Sequence, residues 1–471
     1  MAQKESASIK SNTGIFDIGN LTAQQRAFFE TGKTLPAAFR IEALSKLRAS
    51  VIRHEKELCT ALQRDLNKAP QEAYMTEIGM VCEEITYLIK HLKKWMRPQK
   101  VRTPMAQFKS KSYLFREPYG VTLIMSPWNY PLQLCLIPLA GAMAGGNCAV
   151  VKPSAYAPCT ARVINAILRE CFSGHYVSAV LGGREENNAL LKQKFDYIFF
   201  TGSKTVGRLV MEAAAKSLTP VTLELGGKSP CIIDKSANIP LTAKRILFGK
   251  ILNAGQTCVA PDYILVHNSV RQPLIQALRE QISVFLGPRP EENPDYPKII
   301  NEKHFDRLLS LLKDTDILSG GGFCRDTLKI APTLVADPPE QSPLMQDEIF
   351  GPILPVISYQ TTEDAMAYIR RKPRPLSLYL FCENKTLQQK ITRTLSFGGG
   401  CINDTIVHLA SSRLPFGGVG ESGMGAYHGR YSFETFTHTK SILDKSTGMD
   451  LSMRYHPYTA GKQRLIRKFL G

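Results

Sequence analysis

Apolar residues in the first hundred positions repeat at the three- to four-residue spacing of amphipathic helices. One set is Leu44, Leu47, Val51, Leu58, Leu62 and Leu66, and the other is Ile78, Val81, Ile85, Leu88, Leu92 and Trp95. This spacing predicts one long helix over each set, and packing against a core explains both. Residues 1–20 are rich in Ser, Asn and Lys, and we expect them to be loosely held.

From residue 120 onward, apolar runs alternate with amphipathic segments. The pattern predicts strands at 121–125, 148–151, 197–200, 221–225, 230–233, 263–266 and 376–381. It predicts helices at 132–144, 161–171, 204–215, 274–285, 305–312, 363–371 and 387–395. Alternating strands and helices imply right-handed crossovers and parallel sheets. We therefore predict an α/β protein with two doubly wound parallel-sheet domains that meet near Gly226 and Gly227, plus a small β ribbon near residue 110.

Composition narrows the class of protein. A chain of 471 residues that is 44% hydrophobic is too long for one core, so two or three domains are expected. The 11 cysteines are scattered, without a Cys-x-x-Cys pair and without histidines at ligand spacing, so we predict no metal site. The odd cysteine count, and the polar start with no apolar leader, predict a reducing compartment, the cytoplasm.

The net charge of +18 indicates either an anionic partner, such as a phosphate-bearing cofactor, acidic lipid or nucleic acid, or simply a basic surface. No dense basic run interleaves with aromatic residues, so we expect no nucleic acid. Segment 120–151 carries no charge and has the length of a membrane span. Pro127, Pro131 and Pro138 interrupt it and would leave backbone groups unsatisfied in lipid, so we predict a buried strand, helix and strand there.

Three residues are candidates for catalytic roles: a nucleophile, a general base and an oxyanion donor. Cys258 follows a glycine-containing bend that can hold a thiol toward a cleft, although a cysteine more often packs as a small apolar residue. Glu224 ends an apolar strand against two glycines, where partial desolvation raises a carboxyl pKa and suits a general base. The alternative for Glu224 is an ion pair with Lys228. Asn129, between aromatic residues and prolines, suits an oxyanion donor or an ordinary hydrogen-bonded turn.

Other segments suggest a dinucleotide. The Gly-x-Gly-x-x-Gly match at 418–423 has no strand before it and no helix after it, so it is not a dinucleotide fingerprint. Segment 201–207 leaves a strand and enters a helix, which suits a pyrophosphate or an ordinary helix cap at Ser203. Lys152 follows a strand and suits ribose or phosphate contact, or is a surface charge. The loop 346–352 carries an acid and an aromatic ring that suit ribose and nicotinamide, or is an acidic surface turn.

In this order, the segments resemble the aldehyde dehydrogenase superfamily from about residue 20 to 440. Segments 219–231, 259–263 and 414–429 are similar to its class 3 branch, which includes fatty and aromatic aldehyde dehydrogenases. The resemblance implies that Cys258 is the nucleophile, that Asn129 and the Cys258 backbone N–H hold the oxyanion, and that Glu224 activates water. It implies cofactor contacts from Trp128, Lys152, Ala155, Gly202, Ser203, Gly207, Leu225, Glu348 and Phe350. It also implies a substrate tunnel lined by Tyr130, Ile406 and Phe416.

The implied reaction is NAD(P)-dependent oxidation of a medium- or long-chain aliphatic or aromatic aldehyde to a carboxylic acid, through a thiohemiacetal and a thioester. Many relatives carry Glu where this chain has Ala155, and loss of that carboxylate removes a like-charge penalty against a 2′-phosphate. We therefore expect NADP to be accepted as well as NAD. An acylating relative that uses coenzyme A or phosphate, and a non-catalytic protein with the same fold, are the alternatives; the presence of Glu224 favours hydrolysis.

The resemblance also implies a division of the chain. Residues 20–105 and 120–225 form the cofactor-binding domain, 226–430 the catalytic domain, and 106–119 and 431–471 an oligomerisation arm and tail. A homodimer is implied, paired through the arm. The basic amphipathic segment 462–470 has four alternatives: docking on the partner subunit, capping the tunnel, peripheral contact with acidic membrane, or fraying.

Overall fold

The computed structural model describes residues 15–470 of the chain. Its strands, in chain order, are β1 (Gln99–Val101), β2 (Ser110–Pro118), β3 (Val121–Met125), β4 (Cys148–Lys152), β5 (Val177–Ala179), β6 (Tyr197–Thr201), β7 (Val221–Glu224), β8 (Pro230–Ile233), β9 (Tyr263–His267), β10 (Ile317–Ser319), β11 (Phe323–Cys324), β12 (Lys329–Ile330), β13 (Thr333–Ala336), β14 (Ile353–Tyr359), β15 (Ser377–Phe381), β16 (Gly399–Ile402), β17 (Gly423–Met424) and β18 (Thr437–Lys445).

The α-helices cover most of the segments between these strands. They are α1 (Ile15–Glu30), α2 (Ala37–Arg53), α3 (Glu55–Leu66), α4 (Pro70–Ala73), α5 (Gly79–Trp95), α6 (Gln133–Gly145), α7 (Pro158–Cys171), α8 (Arg184–Leu191), α9 (Lys204–Ala215), α10 (Ile239–Ile251), α11 (Arg271–Leu286), α12 (Glu302–Leu311), α13 (Pro343–Gln346), α14 (Thr362–Arg370), α15 (Lys385–Thr394), α16 (Arg430–Thr435) and α17 (Ala460–Leu470). One π-helical turn, Tyr74–Ile78, joins α4 to α5.

The first large sheet has six strands in the order β17-β7-β6-β3-β4-β5. All neighbours are parallel except β17, whose Gly423 lies opposite Glu224 in an antiparallel pair. The strands β3, β4 and β6 are buried at every position, because helices such as α6 and α9 pack on the sheet. This burial explains their continuous apolar runs, which are typical of parallel sheets covered on both faces.

The second large sheet has seven strands in the order β10-β13-β14-β9-β8-β15-β16. Its pairs are parallel except the edge pair of β10 and β13. The predicted fold class, α/β with two parallel-sheet domains, is confirmed. The domain boundaries themselves remain predictions. The short strand β17 lies in the first sheet although its residues fall within the predicted 226–430 segment.

A separate antiparallel sheet of three strands, β1-β2-β18, forms the arm. Strand β18 pairs with β2 from Thr437 opposite Pro118 to Lys445 opposite Ser110. The seven residues of β18 between its two ends are all exposed. The arm therefore exists as predicted, and its role in oligomerisation remains a prediction.

Several predicted elements match closely and two differ. Strands β3 and β8 and helix α9 begin and end at the predicted residues. The single helix predicted over Leu44 to Leu66 is wrong, because it is interrupted at His54, between α2 and α3. The His54 ring lies between two carboxylates, those of Glu57 at 2.9 Å and Glu170 at 2.8 Å. Helix α1 begins at Ile15, inside the segment predicted to be loosely held, and the rest of that segment lies outside the described residues.

The uncharged segment folds inward as predicted, as β3, a loop, α6 and β4. Helix α6 has 13 residues, and every one of them is buried in the protein. Among residues 15–470, no helix is long and apolar enough to cross a membrane.

The Asn147 side chain joins three buried parts of the main chain, and its removal tests how much these hydrogen bonds stabilise the fold. Its side chain accepts a hydrogen bond from Gly120 N at 2.9 Å and donates to the carbonyls of Ala142 and Phe436 at 3.1 and 2.8 Å. We expect Asn147→Ala to cost about 2 kcal/mol or more, because it leaves buried backbone groups unpaired. Thermal unfolding followed by circular dichroism measures this loss as a lower Tm. The exposed Asn188→Ala is the control and should leave Tm nearly unchanged.

Candidate active site

Cys258 follows a left-handed turn at the end of α10. Asn253 and Ala254 have φ values of 51° and 52°, and Gly255 has 73°. A Cβ atom at Gly255 would collide with the carbonyl oxygen of Gly351, so this position requires glycine. Left-handed residues other than glycine are uncommon and cluster at functional sites. The turn brings Cys258, which is half-buried, toward the space between the two large sheets.

Two cavities meet at Cys258. One, which we call the apolar cavity, encloses about 900 Å³ of empty space, part of it continuous with solvent. The other, the polar cavity, encloses about 800 Å³ in the same sense. Cys258, Glu224 and Leu225 line both. The thiol and the carboxylate therefore face a shared space that can be entered from two sides.

Glu224 is a buried carboxylate at the end of β7. Its side chain is only 2% exposed, and neither carboxylate oxygen has a hydrogen-bond partner among the described residues. Burial raises the pKa of Glu224 well above its usual value. The alternative pairing with Lys228 is wrong, because the Lys228 ammonium contacts Asp262 at 2.5 Å instead. An unpaired buried carboxylate is costly and uncommon, and it suits a residue that must take up a proton.

The surroundings of the Cys258 thiol disfavour its ionised form. Burial raises the pKa of Cys258 well above its usual value, and the charges of Glu348 and Glu224 raise it further. The thiol therefore keeps its proton at neutral pH in the free protein. Its attack on an electrophile draws on a small thiolate fraction that grows with pH.

Asn129 is joined to the Cys258 loop. Its side-chain amide donates to the carbonyl of Gln256 at 3.0 Å, and its own carbonyl accepts from Asn253 Nδ2 at 2.7 Å. The Tyr130 hydroxyl lies 2.7 Å from the Thr257 hydroxyl. An amide nitrogen carries two N–H groups, so one remains for a ligand in the polar cavity, which Asn129 lines together with Cys258.

The polar cavity brings together most of the predicted cofactor residues. These are Trp128, Gly202, Ser203, Leu225, Glu348 and Phe350. Trp128 and Phe350 meet edge to face, with ring centroids 5.4 Å apart. The Glu348 carboxylate lies directly against Gly226, where a Cβ atom would collide with it, so the half-buried acid is not a surface turn. Burial raises the pKa of Glu348 to about 8, and the charge of Asp262 adds to this effect.

Three predicted cofactor residues lie outside this cavity lining. Lys152 is not a surface charge: it is 3% exposed, its ammonium donates to the carbonyls of Pro153 at 3.0 Å and Gly182 at 2.7 Å, and burial lowers its pKa to about 8. Ala155 is exposed beyond the end of β4. The amide of Gly207 is used inside α9. Cofactor contact by these three residues remains a prediction.

Ser203 caps helix α9, since its hydroxyl accepts from Val206 N at 3.4 Å, and it also lines the polar cavity. The start of this helix suits a pyrophosphate, the paired aromatic rings of Trp128 and Phe350 suit a flat ring, and the Glu348 carboxylate suits sugar hydroxyls. The donor set of the polar cavity therefore fits a nicotinamide dinucleotide.

Tyr130, Ile406 and Phe416, the predicted substrate residues, line the apolar cavity, and substrate contact by them remains a prediction. Other residues of that lining were not predicted: Met75, Met80, Leu134, Phe248, Leu252 and Leu409. The polar cavity adds His304 and Arg307 from α12, also not predicted. Arg307 donates to the carbonyl of Ile349 at 2.5 Å, next to Glu348. Their spacing of three residues on one helix was the only sequence signal, and it does not distinguish a site from an exposed face.

The chain is similar to known proteins over nearly its whole length. The profile described as "Aldehyde dehydrogenase family" matches residues 7–442. The chain is 49% identical over 446 residues to 4,4′-diaponeurosporen-aldehyde dehydrogenase of Staphylococcus aureus, covering 94% of this chain and 97% of that protein. It is 43% identical over 459 residues to aldehyde dehydrogenase family 3 member H1 of Arabidopsis thaliana, covering 96% and 95%. A solved structure, "Substrate bound state of Staphylococcus Aureus AldH", matches with a TM-score of 0.94 at 48% identity, covering 96% and 99%.

The buried charge of Glu224 makes a prediction about stability. Because its pKa is raised in the folded state, folding favours the protonated form, and the stability from this group falls as pH rises above the unfolded value of about 4.3. We therefore expect Glu224→Gln to raise Tm by an amount that grows from pH 5 to pH 8. Thermal-shift measurements across this range test it. The exposed Glu212→Gln is the control, and a gain in Tm equal at every pH would contradict the prediction.

Proposed function

Because this chain belongs to the aldehyde dehydrogenase family and is an NAD(P)-dependent enzyme of that family, we propose that it oxidises apolar aldehydes to carboxylic acids through Cys258. The observation that carries this proposal is the meeting of the apolar and polar cavities at one half-buried thiol beside an unpaired carboxylate. An aldehyde entering by the apolar cavity reaches Cys258 from one side. The polar cavity remains for the dinucleotide.

The thiolate of Cys258 attacks the aldehyde carbon, and the carbonyl oxygen becomes an oxyanion. The Asn129 amide and the Cys258 backbone N–H are its donors, and each such donor is worth about 3 kcal/mol in the transition state. Loss of hydride from the former aldehyde carbon re-forms its carbonyl and leaves a thioester on Cys258, and bound NAD(P) would supply the hydride acceptor. Trp128, Leu225 and Phe350 would hold its nicotinamide side, and Glu348 and Lys152 would hold its riboses.

Glu224 completes the reaction as general base. Its two oxygens have no protein partner among the described residues, so a water molecule entering the shared space can donate to them. The raised pKa makes the carboxylate a stronger proton acceptor than an exposed glutamate. The activated water hydrolyses the thioester on Cys258 and releases the carboxylic acid.

The lining of the apolar cavity supports an apolar substrate. Most of its side chains are apolar, including methionines, leucines and phenylalanines, and methionine adapts its shape to irregular ligands. The Staphylococcus aureus relative is named for 4,4′-diaponeurosporen-aldehyde, which is consistent with an apolar aldehyde. We propose long-chain aliphatic or aromatic aldehydes as the substrate class.

An aldehyde panel from acetaldehyde to dodecanal and benzaldehyde, assayed by NAD(P)H formation, tests the function. We expect kcat/KM to rise with chain length, because each buried methylene contributes about 0.8 kcal/mol. The acid should form at the same rate with and without coenzyme A. A product that requires coenzyme A would replace the hydrolytic reaction with the acylating one, and no NAD(P)H from any aldehyde would contradict both.

Single-residue variants test the roles. Cys258→Ser should abolish turnover, while Cys171→Ser, at another half-buried cysteine, should not change it. Glu224→Gln should keep a burst of about one NAD(P)H per site and then slow the steady state about 100-fold, since only thioester hydrolysis lacks its base. Stopped-flow absorbance separates the two phases. Loss of the burst in Glu224→Gln would place this residue before hydride transfer.

Ala155 gives a prediction about the cofactor. We expect kcat/KM with NADP to lie within about tenfold of the value with NAD, because no carboxylate at this position repels a 2′-phosphate. Ala155→Glu should lower the NADP value at least about tenfold and spare NAD. Ala155→Gln, which adds size without charge, is the matched control. A wild-type preference for NAD of tenfold or more would contradict the prediction.

A further inference from the structure

Two buried lysine–carboxylate pairs flank the shared space. Lys68 Nζ lies 2.5 Å from Glu77 Oε1, and both side chains are 0% exposed. Lys228 Nζ lies 2.5 Å from Asp262 Oδ2, with side chains 8% and 4% exposed. In the described part of the chain, no other ion pair has both side chains as deeply buried. Each pair binds the main chain of a different loop.

The pair Lys68–Glu77 holds the Asn129 loop at both ends. The Lys68 ammonium donates to the carbonyl of Asn129 at 3.1 Å. Glu77 Oε2 accepts from Leu132 N at 2.8 Å and from Gln133 N at 3.3 Å, at the start of α6. Besides bonding to each other, Lys68 and Glu77 therefore both bind the main chain of the segment that carries Asn129.

The same region also reaches the Cys258 loop. Glu72, just after Lys68 in the chain, accepts from Asn253 N at 2.8 Å. The carbonyl of Asn129 thus receives two donors, Lys68 Nζ and Asn253 Nδ2. Glu77 lies on the π-helical turn Tyr74–Ile78, an irregularity that occurs often at functional sites.

Stability alone does not explain this pair. Two charges taken out of water lose about as much solvation as their attraction returns, so a buried ion pair often contributes little net stability. What the pair does provide is a fixed position for the main chain on either side of Tyr130, whose ring lies 3.9 Å from the Lys68 ammonium. We propose that Lys68 and Glu77 are positioning residues that fix the Asn129 amide against Cys258. This inference rests on the proposed function, in which that amide holds the oxyanion.

The second pair supplies a matched comparison. The Lys228 ammonium donates to the carbonyls of Leu344 and Asp347, each at 2.9 Å, and Asp262 Oδ1 accepts from Ile349 N at 2.8 Å. These contacts hold the loop of Glu348 and Phe350, on the cofactor side. A second buried lysine–carboxylate pair therefore holds a different loop, and disruption of each pair should have a different kinetic signature.

The test is a double-mutant cycle between Lys68 and Asn129 in the full-length protein, with decanal and NAD(P) at temperatures well below Tm. Lys68→Met should lower kcat about tenfold or more, because a small displacement of a catalytic group has large effects. In an Asn129→Ala background the same change should lower kcat less than about twofold, since no donor remains to be positioned. Ester hydrolysis of 4-nitrophenyl acetate without cofactor should fall in parallel with kcat.

Lys68→Met leaves Glu77 buried without its partner, so a second variant separates positioning from folding. Lys68→Met/Glu77→Gln removes both charges and keeps an acceptor for Leu132 N. We expect its Tm to recover toward the wild-type value while kcat stays low, because the Asn129 carbonyl keeps the Asn253 donor but still lacks the Lys68 ammonium. Lys228→Met should instead weaken cofactor binding, measured by the change in tryptophan fluorescence on titration with the dinucleotide, and spare ester hydrolysis within about twofold.

The outcomes separate the inference from the function on which it rests. If Asn129→Ala leaves kcat unchanged, the proposed oxyanion role fails. If Asn129→Ala lowers kcat but Lys68→Met lowers only Tm, or lowers kcat equally in both backgrounds, the positioning role is overturned. Recovery of kcat together with Tm in the double variant would also overturn it.

Discussion

The chemistry proposed for Cys258 depends on the relative position of two loops that belong to different sheets. Asn129 follows β3 of the six-stranded sheet, and Cys258 lies between α10 and β9 of the seven-stranded sheet. Hydrogen bonds in both directions join Asn129 to Gln256 and Asn253, and Tyr130 meets Thr257. Because these contacts run from one loop to the other, they fix the position of the donor amide relative to the thiol. Rigid sheets on either side then set the distance between cavity walls.

Keeping the two loops in this relative position costs stability. The Cys258 loop contains left-handed Asn253 and Ala254, and Glu224 is buried without a partner among the described residues. Both features are unfavourable on their own. They persist because surrounding contacts over-determine them: Glu72 holds the Asn253 amide, and β17 pairs with β7 beside Glu224. Sites that must bind charge and water commonly give up stability in this way.

The sequence predicted what is local or periodic and missed what depends on distant contacts. Buried strands such as β3 were found because burial on both faces leaves a continuous apolar run. The interruption at His54 was missed because α2 and α3 both bury leucines at helical spacing on either side of it. Glu224 was identified, but its suggested partner Lys228 was not a partner, since the ammonium contacts Asp262, 34 residues further on. His304 and Arg307 reach the polar cavity only through the placement of α12, which no local pattern encodes.

The surroundings of Cys258 also explain how this thiol, one of 11 in the chain, can be reactive and still resist oxidation. Burial and the nearby carboxylates of Glu224 and Glu348 keep the pKa of Cys258 high, so the free protein presents a thiol rather than a thiolate. Oxidation follows thiolate character, so this setting protects the sulfur when no substrate is present. Burial is the largest of these effects, and the carboxyl groups of Glu348 and Glu224 add to it only where they are ionised.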